Sequence, residues 1–282
     1  MNILKKSATF LFIGIIAIFS GRILSGQANR ITLDGIIADI PERWWEGGWD
    51  KVIELNQFIN QNTFDKTSCA RAQYWIGCNY YANRDYERAI EEYETVLRLY
   101  SDAWLICAKS RFEIGQIYLY KLNDYESALE SYAMVIGDYP VCEVTAQAQK
   151  SIAYIYRLLR DYERSHKEYE KVWQLYPEYK LEAAKAFYEN GELYFKESFK
   201  YSREENLRKA LSNYKLAYLY CPLEEEEVSE WVIESIIRAF KFLDGNMERA
   251  NAFIRYQRYK RVNDGGKISI RDKGIYDPLK DF

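Results

Sequence analysis

A short motif recurs along the middle of this chain at intervals of 39 and 37 residues. It consists of Asp-Tyr-Glu and, two residues later, a small residue, and it begins at Asp85, Asp124 and Asp161. A second element, in which a small residue precedes a tyrosine by three positions, recurs at a constant spacing of 38 residues. Such a period is typical of helical repeat arrays, in which each unit buries its apolar surface against its neighbours.

Each unit is predicted to contain two antiparallel helices with small residues in both. They stand at Gly77, Gly115, Ala153 and Gly191 in the first helix and at Ala89, Ala128, Ser165 and Ala210 in the second. Small residues let the two backbones approach closely, and tyrosines four positions after the second set fill the space beside them. These tyrosines are Tyr93, Tyr132, Tyr169 and Tyr214.

Polar and proline residues mark the helix ends. The residues expected to cap a second helix, because short polar side chains accept hydrogen bonds from its free N–H groups, are Asp85, Asp124, Asp161 and Asn206. The units then end at Ser101, Pro140, Pro177 and Pro222. Proline lacks an N–H and is tolerated just beyond a helix end.

The whole pattern resembles the tetratricopeptide repeat family over roughly residues 46–262. It matches the family's glycine, tyrosine three positions later, alanine, aromatic residue four positions later and closing proline. The resemblance implies an all-α fold, a right-handed superhelical solenoid whose concave surface holds a partner. In their long period and alanine-rich helix starts, these repeats resemble those of bacterial envelope proteins, namely the outer-membrane assembly lipoproteins and the periplasmic coordinator of the Tol-Pal system.

The segments around the repeats are assigned by their position. Residues 29–45 are predicted to be a linker, Trp49–Phe64 a lone second helix, Trp231–Tyr259 a diverged capping pair and residues 263–282 a polar tail. Atypical end units are expected because a solenoid must cover its terminal faces. Extra residues in the fourth unit, Lys196–Glu205, are predicted to form a longer protruding loop.

The amino terminus indicates export. Two lysines precede an apolar run from Ala8 to Phe19, and Gly26-Gln27-Ala28 offers a cleavage site, so residues 1–28 are predicted to be a signal peptide. The alternative is an uncleaved membrane anchor, because Arg22 lies within the cleavage region. Cleavage removes three cations and no acid, which lowers the net charge from −3 to about −6 and argues against nucleic-acid binding. We expect a periplasmic protein, or an anchored one facing outside the cytoplasm.

No catalytic, metal or cofactor site is expected. The single histidine, His166, is predicted to be solvated or packed, and Gly265-Gly266 lacks the strand and helix that flank a phosphate-binding loop. The five cysteines lack the spacing of metal sites. Cys107 and Cys142 lie at neighbouring helix ends where a disulfide is conceivable, but free thiols are favoured. The chain is therefore interpreted as non-enzymatic.

The concave surface is the candidate binding site. The resemblance places these side chains on it: Arg71, Tyr74, Cys78 and Tyr81; Lys109, Phe112, Gln116 and Tyr120; Gln147, Lys150, Tyr154 and Arg157; Lys185, Tyr188, Glu192 and Phe195. Among them nine are the predicted partner contacts: Arg71, Tyr74, Lys109, Phe112, Lys150, Tyr154, Arg157, Lys185 and Tyr188. Five cations face one acid, so the surface is predicted to bind an anionic partner segment.

The functional interpretation is a protein-binding scaffold outside the cytoplasmic membrane, acting in envelope assembly or maintenance. Two alternatives stay open. One is a membrane-anchored assembly factor of a multiprotein complex, in which the amino-terminal helix stays in place. The other is a glycan or peptidoglycan binder, which would depend on the aromatic residues of the groove and not on its cations.

Overall fold

The computed structural model describes residues 32–34, 48–222 and 224–243, together with 245, 248, 250–252 and 255. The predicted signal peptide and polar tail lie outside the described residues, as does most of the linker. Regular structure in the described part is helical, without strands. The helices are α1 (Gly48–Gln61), α2 (Lys66–Ala82), α3 (Tyr86–Leu99), α4 (Trp104–Ile117), α5 (Tyr125–Asp138), α6 (Glu143–Leu158), α7 (Tyr162–Leu175), α8 (Lys180–Glu197), α9 (Arg203–Tyr220) and α10 (Glu226–Leu243).

The helices form a solenoid of tetratricopeptide-like pairs, which confirms the predicted fold class. Each helix packs against the next along the chain, so that α2–α3, α4–α5, α6–α7 and α8–α9 are four complete units. First helices of successive units also contact each other, whereas second helices make no comparable contact within the described chain. Elements on the inside of a curved stack lie closest together, so the concave surface is the one formed by α2, α4, α6, α8 and α10.

Glycine and tyrosine set the register of each pair, as predicted. A Cβ atom added to Gly77, Gly115 or Gly191 would lie 2.6–2.7 Å from Cε1 of the tyrosine on the partner helix. That separation is far below any normal carbon–carbon contact, so these rings occupy the space that a side chain would need. The four tyrosines of the second helices are completely or almost completely buried.

Three of the four predicted caps are confirmed. The carboxylates of Asp85, Asp124 and Asp161 accept hydrogen bonds from backbone N–H groups three residues later, at 3.3, 3.1 and 3.1 Å. The prediction for Asn206 is wrong, because α9 already begins at Arg203. Asn206 lies inside the first turn, and its amide donates to the carbonyl of Tyr201 at 3.0 Å.

The protruding loop predicted at Lys196–Glu205 is also wrong. The extra residues lengthen α8 and α9 to 18 residues each, and only residues 198–202 connect them. The segment is rich in charged residues of high helix propensity, and Glu204 and Glu205 form i,i+4 ion pairs with Arg208 and Lys209. The insertion therefore extends the helices beyond the neighbouring units.

A single extra residue in the second unit is absorbed by a π-helical turn, Tyr118–Leu122, directly after α4. Asp85 and Asp161 donate their backbone N–H to a carbonyl five residues back, whereas Asp124 donates to Tyr118, six residues back. Short π-helical segments commonly accompany functional sites. This one leaves the side chain of Tyr120 52% exposed.

The remaining expectations concern the ends and the thiols. Helix α1 occupies most of the segment predicted as a lone second helix, and the residues directly before it lie outside the described part. Helix α10 begins at Glu226, five residues before the predicted start, and the rest of the capping pair lies largely outside the described residues. None of the five cysteines forms a disulfide bond. Cys107 contacts the carbonyl of Tyr100 at 3.3 Å and not Cys142. No described helix combines the length and apolar character that a membrane span requires.

Candidate partner-binding surface

The aromatic residues predicted on the groove also support the core. Tyr74, Phe112 and Tyr188 occupy one repeat position and are half-buried. Their ring centroids lie 5.5, 5.5 and 6.2 Å from those of the buried tyrosines of their own units. Such offset aromatic contacts stabilise a pair beyond simple burial. These three residues therefore combine a packing role with partial access to the concave surface.

In three of the four units the residue after the small residue supplies a partner for the buried tyrosine hydroxyl. Cys78 Sγ, Gln116 Nε2 and Glu192 Oε1 lie 3.4, 2.9 and 2.7 Å from the tyrosine oxygens. The third unit differs, because this position is Tyr154. The hydroxyl of its buried tyrosine, Tyr169, has no hydrogen-bond partner among the described residues. All four residues were predicted to lie on the groove, and the hydrogen bonds of Cys78, Gln116 and Glu192 to the buried tyrosines were not predicted.

Three of the five predicted cations are paired with carboxylates on α8. Lys150 bonds to Glu182, Lys185 lies 3.4 Å from the same carboxylate, and Arg157 Nη1 lies 2.5 Å from Glu189 Oε2. Glu182 is 2% exposed. Burial alone would raise its pKa, but the two lysines outweigh this effect and hold the pKa below its ordinary value. The concave surface therefore carries fewer unpaired cations than the sequence predicted.

The other two cations are more accessible. Arg71 Nη2 lies 3.4 Å from the carboxylate of Asp34, and both side chains are exposed. Lys109 is exposed and has no carboxylate within 4 Å in the described part of the chain. Nearby Glu113 is largely shielded, and burial raises its pKa. Lys109 is thus the predicted cation that remains available to a partner.

An aromatic–arginine patch, formed by Tyr120, Tyr154 and Arg157, lies where α4 and its π-helical turn meet α6. The guanidinium carbon of Arg157 stands 4.6 Å from the ring centroid of Tyr154. The Tyr120 and Tyr154 ring centroids are 6.0 Å apart. Tyrosine and arginine are, with tryptophan, the residues enriched at binding hot spots, because they offer a large contact area with a polar end. The patch can stack on a partner side chain and donate hydrogen bonds at its rim.

The described residues contain no cluster of His, Cys, Asp and Glu arranged to hold a metal ion. His166 packs as predicted, with its ring stacked on Tyr194 at 3.8 Å between centroids. Its Nδ1 and Nε2 atoms lie 2.5 and 2.8 Å from Asn190 Oδ1 and Glu197 Oε2. The ring is therefore engaged on three sides by α8.

Residues 74–141 match the tetratricopeptide repeat family, which generally mediates protein–protein interaction without catalysis. None of the curated proteins matches the chain. Among solved structures, BtubC (BKLC) from P. vanneervenii is similar, with a TM-score of 0.56 at 14% identity over 81% of this chain and 93% of that chain. At this identity the similarity concerns the fold alone.

Proposed function

We propose that this protein is a non-enzymatic scaffold that holds a segment of a partner protein on its concave surface. The aromatic–arginine patch carries the proposal. An exposed tyrosine, a second tyrosine and a stacked arginine from two successive units meet there, above a buried hydroxyl that lacks a partner. Clusters of this composition supply most of the binding energy at protein interfaces. A partner segment that lies along the first helices would cross the patch near the middle of the solenoid.

The partner segment is proposed to be anionic. Lys109 supports this charge preference because it is exposed and has no carboxylate within 4 Å in the described chain, and it lies on α4, the helix that leads into the turn carrying Tyr120. Exposed charges steer association and select partners more than they add affinity. Arg157 already has a carboxylate neighbour, so Lys109 is the cation whose charge a partner would meet first.

The cellular setting is proposed from the sequence alone. The amino-terminal segment supports export to the periplasm, or anchoring with the solenoid outside the cytoplasmic membrane, and a role in envelope assembly or maintenance. Amino-terminal sequencing of the protein recovered from cells is expected to begin at or near Asn29. An intact amino terminus in the membrane fraction would favour the anchored assembly factor.

Capture of the partner by variants tests the binding surface. The tagged full chain, cross-linked in its own cells, is expected to recover a protein that Tyr120→Ala and Arg157→Ala each fail to recover. Matched controls are Tyr201→Ala, which also removes a largely exposed tyrosine, and Arg98→Ala on the second helix α3. Equal recovery by patch and control variants would contradict the assignment.

A charge reversal separates the protein partner from a glycan. Lys109→Glu is expected to weaken capture of an anionic segment, whereas binding of purified peptidoglycan would depend on Tyr120 and survive the reversal. Retention of peptidoglycan by the wild type and by Lys109→Glu, with loss in Tyr120→Ala, would select the glycan-binding alternative.

A further inference from the structure

A cavity of about 620 Å³ opens at the edge of the solenoid between the third and fourth units. We call it the corner pocket. Its walls come from the end of α6, where Arg157 of the aromatic–arginine patch lines it, from the turn between α6 and α7, and from the last turns of α8 with Phe199 just beyond them. Pockets of about 300–1,000 Å³ are the usual size for holding a compact ligand or a few side chains of a peptide.

The corner pocket carries uncompensated positive charge. Arg160 and Lys196 line it, are exposed and form no ion pair within 4 Å among the described residues. The carboxylate on its wall, Glu192, is already occupied, because it accepts hydrogen bonds from Tyr214, Ser235 and Arg238. Two cations in one concavity without a competing free acid favour an anionic group.

An apolar wall stands beside these cations. Phe199 is 60% exposed and lines the pocket together with Leu158, which is 40% exposed. The Phe199 ring is held edge-to-face against Phe195 and Phe242, with centroids 5.3 and 5.4 Å away. An exposed aromatic ring fixed in this way presents apolar area without a further loss of side-chain freedom on binding.

The other corners of the array lack this combination. The position equivalent to Lys196 is Leu158 one unit earlier and Tyr120 two units earlier. The position equivalent to Arg160, the residue of positive φ before the capping aspartate, is Asn123 in the second unit. Phe199 belongs to the extra residues of the fourth unit. The charge and the apolar wall therefore meet at one corner of the described array.

We propose that the corner pocket binds a partner segment in which an acidic residue stands next to a large apolar one. The acidic side chain pairs with Arg160 and Lys196, and its apolar neighbour packs on Phe199 and Leu158. This inference rests on the proposed function and specifies the chemistry of one contact. It adds an anchor that adjoins the aromatic–arginine patch, because Arg157 belongs to the patch and also lines the pocket.

The test uses the full chain and a fluorescein-labelled peptide of sequence Gly-Asp-Glu-Phe-Gly, followed by fluorescence anisotropy. Saturable binding is expected, weakening with added salt as exposed charges are screened. The peptides Gly-Lys-Lys-Phe-Gly and Gly-Asp-Glu-Ser-Gly are expected to bind at least about tenfold more weakly, a factor that 1.4 kcal/mol produces.

Variants assign the binding to the pocket. The double change Arg160→Glu and Lys196→Glu, and separately Phe199→Ser, are each expected to raise the Kd at least about tenfold with unchanged helicity. The matched control is Arg84→Glu, which reverses an exposed arginine at the corresponding corner of the first unit with a similar positive φ. Absence of saturable binding, equal binding of the serine peptide, or equal effects of Arg84→Glu and the pocket variants would each overturn the proposal.

The two proposals fail separately. If the peptide does not bind while partner capture still depends on Tyr120, which does not line the pocket, the corner pocket is refuted and the scaffold function stands. If the peptide binds as expected while Tyr120→Ala leaves partner capture unchanged, the pocket stands and the concave site is refuted.

Discussion

Replacing Gly115 by leucine tests the register on which every assignment depends. A Cβ there would lie 2.7 Å from Cε1 of Tyr132 and 3.0 Å from two further ring atoms. The ring is fully buried and its hydroxyl is hydrogen-bonded to Gln116 Nε2 at 2.9 Å, so it cannot swing aside without breaking that bond. Overpacking of this kind costs about 1–3 kcal/mol, and the three further carbons of leucine place the change near the upper value.

Thermal unfolding followed by circular dichroism measures the cost. Since 1 kcal/mol shifts the Tm of a domain this size by about 2–4 °C, Gly115→Leu is expected to lower it by about 6–12 °C. The control is Gly137→Leu in the last turn of α5, where an added Cβ meets nothing within 4 Å. That change is expected to leave the Tm unchanged or slightly raised, because leucine favours helix over glycine. A Tm of Gly115→Leu within a degree of the wild type would refute the proposed packing.

Three further outcomes follow from the contacts. Tyr169→Phe removes an unpartnered buried hydroxyl and is expected to leave the Tm unchanged or raised, whereas Tyr214→Phe loses a hydrogen bond and is expected to cost about 1 kcal/mol; the opposite order in thermal melts would contradict the pairing. Because the folded-state pKa of Glu182 is lowered, its stabilisation is present above about pH 4.5 and is lost as the pH falls through that lowered pKa. Urea titrations of Glu182→Gln are therefore expected to show a flatter acid limb than the wild type, and parallel curves would count against the ion pairs. Capture of the partner through Lys109 is expected to weaken as ionic strength rises, and salt-insensitive capture would argue for an apolar contact.

Much of the fold could be predicted because the main packing contacts join residues of the same repeat unit. Gly115 must be small for Tyr132 to fit, and a capping aspartate precedes the second helix in three of the four units, so each repeated contact leaves a repeated residue in the sequence. The errors came where a unit departs from its neighbours. Asn206 looked like a cap only because the extra residues before it were assigned to a loop, whereas their charged side chains extend α8 and α9.

The candidate site was harder to predict because the ion pairs of its cations join residues of different repeat units. Lys150 and Arg157 were counted as free cations, but their carboxylate partners lie 32 residues later on the next first helix. Both pairs have the same separation, and a search for acids at that distance would have found them. The contact between Tyr120 and Tyr154 depends on the π-helical turn, which adds a residue that no pattern in a single unit reveals.

The connections between helices lie on two edges of the solenoid. Those that join successive units are nearly constant in length, whereas those within a unit vary in length. Each of the first three second helices is joined to the following first helix by four residues, and the repeat spacing of 38 is kept throughout them. Within the units, one extra residue follows α4, and seven extra residues lie between the small residues of the fourth unit, where they mainly lengthen α8 and α9. Added length on that side changes the local surface without altering the phase at which the next unit stacks. New binding features can therefore be introduced there, as at Tyr120 and Phe199, while an insertion on the opposite edge would rotate every unit that follows.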